Sequence, residues 1–162
     1  MPELIVPTTR LFHAWTSAHA EWGPGEHEDG FGLLPTDTID NEDGFAAWIS
    51  RLSTESNLCT YRWIVDDERV LGGIALRHRE GEFGHLGYGI RPSARRRGLA
   101  TWALARMVAE AQSIGLDQVI AVCAADNLPS ARTIEVNGGV LDAVVDTPLG
   151  LARRYVIQTA ED

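Results

Sequence analysis

The hydrophobic positions change period along the chain, and the changes mark out its elements. Leu4 to Val6 form a short apolar run closed by Pro7, which predicts a first strand. From Thr9 to Trp22, the residues Leu11, Phe12, Trp15, Ala18 and Trp22 recur on one helical face. Gly23-Pro24-Gly25 stops that run, and residues 23–39 read as a loop rich in Gly, Pro and acid. A second helix is predicted over Asn41 to Leu52, with Phe45, Trp48, Ile49 and Leu52 inward. Three strands follow, Tyr61–Val65, Val70–Arg77 and Phe83–Arg91, and their spacing predicts an antiparallel meander. Asp66-Asp67-Glu68-Arg69 forms the first turn of that meander, and Gly72-Gly73 marks a bulge. A long helix runs from about Gly98 to Ile114, with Gly115 as its stop. Gln118 to Ala124 is almost wholly apolar, as expected of a strand covered on both faces. Asp126 to Ser130 opens another helix, with Pro129 near its first turn, and Asn137-Gly138-Gly139 ends it. Val140–Val145 and Leu151–Gln158 read as a closing hairpin. With no internal repeat, low-complexity tract or linker, the pattern predicts one mixed α/β domain over residues 1–162.

Composition narrows the function classes. The chain has 162 residues and 44% hydrophobic content, enough for a real core. The net charge of −9 disfavours a general nucleic-acid role. All 14 basic residues are arginine. Glu21, Glu26, Glu28, Asp29, Asp37, Asp40, Glu42 and Asp43 cluster in one stretch without Arg or Lys. That stretch reads either as a solvated loop or as an electrostatic lure for a cationic substrate. Cys59 and Cys123 form no metal-ligand pattern and are too few for a disulfide framework. Met1-Pro2-Glu3-Leu4 does not read as a signal peptide, and no apolar run approaches membrane-spanning length. The expectation is a cytoplasmic protein with no metal and no membrane partner.

Candidate chemistry centres on the stretch from Tyr88 to Thr101. It reads as a strand end, a tight basic turn and a helix start. A helix start leaves backbone N–H groups without intrahelical partners and carries partial positive charge. Gly98 lets an anionic group approach the backbone closely, and arginine forks suit phosphate oxygens. Strand, basic glycine turn and helix N-terminus together predict a phosphate cradle, with a pyrophosphate on Gly98 to Thr101.

The element order and the turn resemble the GCN5-related N-acetyltransferase (GNAT) family. The family's phosphate motif, Gln/Arg-x-x-Gly-x-Gly/Ala, stands here as Arg95-Arg96-Arg97-Gly98-Leu99-Ala100. Ile90-Arg91-Pro92 precedes it and Thr101-Trp102-Ala103-Leu104 follows. Asn127 and Ser130 fit the family's helix-opening Asn with a small residue after it. The run Gly84 to Ser93, with Ile134 to Gly139 downstream, resembles a subgroup of predicted acetyltransferases. The resemblance implies a central, mostly antiparallel sheet splayed between its fourth and fifth strands and flanked by helices. It implies acetyl-CoA as donor, with pantetheine bonded to backbone near Tyr88, Gly89, Ile90 and Arg91. Arg95, Arg96, Arg97, Gly98, Leu99, Ala100 and Thr101 would hold the phosphates. Asn127 and Ser130 would reach pantetheine or a phosphate. Relatives often dimerise, which leaves a homodimer open.

Acetyl transfer to an amine needs a neutral amine, a donor for the developing carbonyl charge and a tolerable leaving thiolate. His85 is the first candidate base. Alternation puts His85, Gly87, Gly89 and Arg91 on one strand face, where the glycines would keep it open. Glu82 is the alternative carboxylate. Ile134 stands where many relatives carry a tyrosine acid, so Tyr88 is the substitute donor, with Cys123 also near the strand end. Arg77-His78-Arg79 reads as an anchor for an acidic group or as a solvated end. Trp15, Trp22 and Trp48 read as core of the two helices that commonly wall the acceptor site in this family. The reading is direct acetyl transfer from acetyl-CoA to an amine of a small molecule or peptide. The alternatives are a catalytically weak CoA-binding sensor or regulatory module, and an acyltransferase for another acyl group or acceptor.

Overall fold

In a computed structural model, residues 1–23 and 30–160 are described. The elements in order are β1 (Glu3–Ile5), α1 (Phe12–Trp22), α2 (Glu42–Thr54), β2 (Cys59–Asp66), β3 (Arg69–Gly81) and β4 (Gly84–Ile90). They continue with α3 (Leu99–Ser113), β5 (Gln118–Ala124), α4 (Leu128–Val136), β6 (Val140–Thr147) and β7 (Gly150–Gln158). Seven strands form one sheet in the order β1-β2-β3-β4-β5-β7-β6. β1 with β2, β5 with β7 and β6 with β7 pair antiparallel, whereas β4 and β5 pair parallel. This is the mixed α/β, mostly antiparallel arrangement that the sequence predicts. The chain packs as two compact units, Met1–Ala75 with Tyr88–Leu99, and Leu76–Gly87 with Ala100–Asp162.

The first unit is built on aromatic packing. α1 buries Trp15, Ala18 and Trp22, and α2 buries Phe45, Trp48 and Leu52. Ring centroids lie 4.9 Å apart for Trp15 and Trp48, and 5.9 Å for Trp48 and Trp63. Trp15 and Trp48 are each 1% exposed, so they are core side chains and do not line a surface site. The buried indole N–H groups of Trp15, Trp22, Trp48 and Trp63 have no hydrogen-bond acceptor among the described residues. Asn41 caps α2, its Oδ1 accepting the Gly44 N–H at 2.8 Å. Gly23 ends α1 at a φ of 75° and donates its N–H to the His19 carbonyl. Pro24 and Gly25, the rest of the expected stop, lie outside the described residues.

Local chemistry also sets the hairpins. The expected turn at Asp66 to Arg69 tightens to a two-residue loop, Asp67 and Glu68, both at positive φ (51° and 61°). That geometry matches the right-handed strand twist. β3 continues past Arg77 to Gly81. Within β3, a side chain on Gly72 would meet the Gly89 carbonyl oxygen, and one on Gly73 would meet the Phe31 ring. Close approach, beyond any bulge, requires glycine there.

The second unit buries Ala103, Leu104, Met107 and Ala111 of α3 along one stripe. Trp102 and Arg106 sit beside that stripe, with the guanidinium 4.9 Å above the indole. β5 is buried at Val119, Ile120, Ala121 and Cys123 and pairs with β7 from Gln118 through Ala124. α4 adds Ala131 and Ile134 to this core.

Candidate functional site

In the first unit, β4 leads into the basic turn, and the turn is held from below. Arg91 is 5% exposed. Its N–H donates to the Leu71 carbonyl at 2.8 Å and its Nη1 to the Val70 carbonyl at 3.2 Å. Its Nη2 lies 3.2 Å from Glu21 Oε1. The other Glu21 oxygen accepts the Ser93 backbone N–H at 2.8 Å. These bonds, with Ser93 foremost and Arg91 next, hold the Glu21 carboxyl down at about 2. The Pro92–Ala94 turn closes with Ala94 N–H on the Arg91 carbonyl at 2.9 Å. Arg91 is thus committed, side chain and backbone N–H, to building the turn.

Above this base the turn is open. Arg95, Arg96, Arg97 and Gly98 are exposed. Arg95 Nε donates to the Ile90 carbonyl at 3.0 Å, which curls the turn over the end of β4. Arg96 and Gly98 both take left-handed conformations, at φ 63° and 75°. A non-glycine residue held there is strained, and such strain concentrates at ligand-binding turns. Left-handed residues alternating along a turn point successive N–H groups into one concavity, an anion-binding shape. A Cβ on Gly98 would meet nothing within 4 Å, so the backbone is bare on that side. Leu99, 7% exposed, anchors the start of α3, and Ala100 and Thr101 complete its first turn.

In the second unit, His85 lies at the start of β4 and is 7% exposed. Its Nδ1 accepts the Ile120 N–H at 2.9 Å. The neutral ring therefore carries its proton on Nε2, and neither nitrogen has a lone pair to spare. Burial pushes its pKa below the ordinary value, with Arg154 and Arg77 acting the same way and Glu80 opposing. The face of β4 expected to be open around His85 is buried at this residue. Tyr88 and Gly89, further along β4, are half-buried, and Ile90 is buried.

Asn127 caps α4, its Oδ1 accepting the Ser130 N–H at 3.2 Å, with Pro129 in the first turn. Burial pushes the Cys123 thiol up, and a hydrogen bond with Ser130 partly opposes this. Ile134 is 1% exposed and fills core. A polar pair that the sequence reading missed lies close by along the chain. Tyr155 of β7 is fully buried and donates its hydroxyl to Glu135 Oε2 at 3.0 Å. The pair joins residues 20 apart in sequence on different elements, so no local pattern announces it.

The acidic stretch splits into separate uses. Glu21 holds the turn, and Asp37 lies 2.7 Å from Arg51 of α2. Asp40, Glu42 and Asp43 are exposed, whereas Glu26, Glu28 and Asp29 lie outside the described residues. Arg77, Arg79 and Glu82 are exposed, and His78 is half-buried. Among the described residues, no group of three His, Cys, Asp or Glu side chains is placed to hold a metal ion. No helix there is long and apolar enough to cross a membrane.

The family model of the acetyltransferase (GNAT) domain matches residues 8–140. No curated protein matches the sequence. Among solved structures, RimJ of Mycobacterium smegmatis, in complex with a CoA disulfide, is similar over 97% of this chain and 81% of its own. Its identity is 16% and its TM-score 0.78. MccE, a microcin self-immunity acetyltransferase in complex with acetyl-CoA and AMP, is 14% identical with a TM-score of 0.73, covering 97% and 92%. An N-acetyltransferase from Staphylococcus aureus is 16% identical with a TM-score of 0.68, covering 99% of both chains. At these identities the likeness is one of fold.

Proposed function

Because the chain belongs to the GNAT acetyltransferase family, we propose that it transfers an acetyl group directly from acetyl-CoA to an amine of a small molecule or peptide. The observation that carries the reading is the turn Arg95 to Gly98. It combines an open backbone at Gly98, left-handed residues at Arg96 and Gly98, and exposed guanidinium groups at a helix start. The CoA pyrophosphate sits on the N–H groups of Gly98, Leu99, Ala100 and Thr101, with Arg95, Arg96 and Arg97 around it. Gly89 and Ile90 offer backbone partners to the pantetheine amides. Acetyl-CoA supplies an activated thioester, and the backbone N–H groups of β4 polarise its carbonyl. Tyr88 is the proton donor to the departing thiolate. The acceptor amine loses its proton to solvent, since His85 has no lone pair to offer. Complexes of the similar folds with acetyl-CoA or a CoA disulfide support the choice of donor.

The bond to His85 Nδ1 and the apolar Ile134 favour a second reading, a CoA-binding module with little turnover. One experiment separates the two. Free thiol is measured from acetyl-CoA against amines, amino acids, polyamines, aminoglycosides and peptides. Acceptor-dependent release supports the enzyme. Binding without release across the panel supports the module. A protein that neither binds nor turns over acetyl-CoA overturns both readings.

A further inference from the structure

The parallel ladder between β4 and β5 contains an irregularity. Gly84 and Leu86 both stand opposite Ala121, and the register shifts between them. One residue, His85, is therefore left over on β4, as at a bulge. Such a shift leaves a strand N–H without its carbonyl partner, and a buried orphan N–H is costly. Here the Ile120 N–H is the group at risk, and His85 Nδ1 takes it at 2.9 Å. Gly84 completes the arrangement. Its φ is 79°, and a Cβ there would lie 2.5 Å from the Ile120 carbonyl oxygen. Only glycine lets β4 come this close to Ile120.

We propose that His85 is a positioning residue whose Nδ1 stands in for a strand carbonyl toward Ile120 and so fixes where the β4–β5 ladder ends. Resting on the acetyl-CoA reading above, its role is to leave the backbone of β4 after Leu86 available to the cofactor. It acts through the strand and does not exchange protons with the acceptor. The groups facing the ring are Arg77 and Glu80 of β3 and Arg154 of β7, and Arg154 is itself paired to Glu80 at 2.6 Å. With its charge already matched, that pair offers the ring no strong inducement to protonate.

The test compares His85→Asn, which keeps an acceptor near the Nδ1 position, with His85→Ala, which does not. CoA dissociation constants, KM and kcat are measured on each folded variant. His85→Ala is expected to weaken CoA binding about tenfold, the scale of one orphaned buried N–H, with His85→Asn restoring most of it. Equal loss of kcat in both variants, with CoA binding unchanged, would identify a general base and overturn the proposal. Nitrogen-15 shifts of the wild-type imidazole and exchange of the Ile120 amide decide the bond without any variant. An Nε2–H tautomer with a protected Ile120 amide supports the clamp, and an Nδ1–H tautomer overturns it. Wild-type protein that binds no CoA while showing the Nε2–H tautomer would sink the acetyl-CoA reading and leave the clamp standing.

Discussion

The carboxylate of Glu21, in the last turn of α1, receives the backbone N–H of Ser93 at 2.8 Å across 72 residues of sequence. The same carboxylate meets Arg91, so one acid closes the underside of the basic turn. Its folded pKa of about 2 lies below the ordinary 4.5. A depressed carboxylate contributes stability above its unfolded pKa and loses it as pH falls toward the folded value. Stability should therefore drop as pH falls from 4.5 toward 2. Glu21→Gln should flatten that part of the profile, as read by urea unfolding at stepped pH. An unchanged acid slope would show that the clamp contributes little.

The arginines around the turn should divide by role. Arg91→Ala removes a buried cation and its bonds to Glu21 and Val70. It should cost about 2 kcal/mol of stability. Arg96→Ala and Arg97→Ala, at exposed positions, should change stability by less than about 0.5 kcal/mol. They should instead weaken CoA binding, and more so at low salt. Calorimetric titration beside chemical unfolding reads both quantities.

Acetyl-CoA should stabilise the wild-type fold by about 2.7 kcal/mol at a hundredfold excess over its dissociation constant. Gly98→Glu should abolish that gain. The space beside Gly98 accepts a side chain, but the positive φ strains it by about 1–2 kcal/mol, and the carboxylate repels phosphate. Thermal melts with and without ligand separate these effects. A ligand shift that survives in Gly98→Glu would place the phosphates elsewhere.

Trp48 should behave as core. Trp48→Ala should cost about 3–5 kcal/mol, because the indole is 1% exposed and packs on Trp15, Phe45 and Trp63. Trp48→Phe should lose much less and leave acceptor selectivity unchanged. A change in selectivity with the fold intact would show that the ring lines the acceptor site.

His85 sets a second pH dependence, at milder acidity. Its folded pKa lies below the ordinary 6.5 because of burial. As pH falls below 6.5, the unfolded chain takes up a proton that the folded ring resists, so stability declines. His85→Asn should remove that decline, measured as urea midpoints across the interval.

The sequence by itself determined the order of elements, because each is marked by its own periodicity and punctuation. The turn Arg95 to Gly98 was legible too, since its residues are contiguous. The bonding partners of Arg91 and His85 were not. Whether an arginine faces a ligand or a carboxylate depends on where Glu21 lands, far away in sequence. Whether an imidazole has a free lone pair depends on the register of β5 against β4, where Ile120 presents its N–H. Tyr155 and Glu135 meet for the same kind of reason. Local pattern fixes backbone conformation, because that is governed by near neighbours along the chain. Partners of buried polar groups are chosen by strand register and helix docking, and these only the tertiary structure decided.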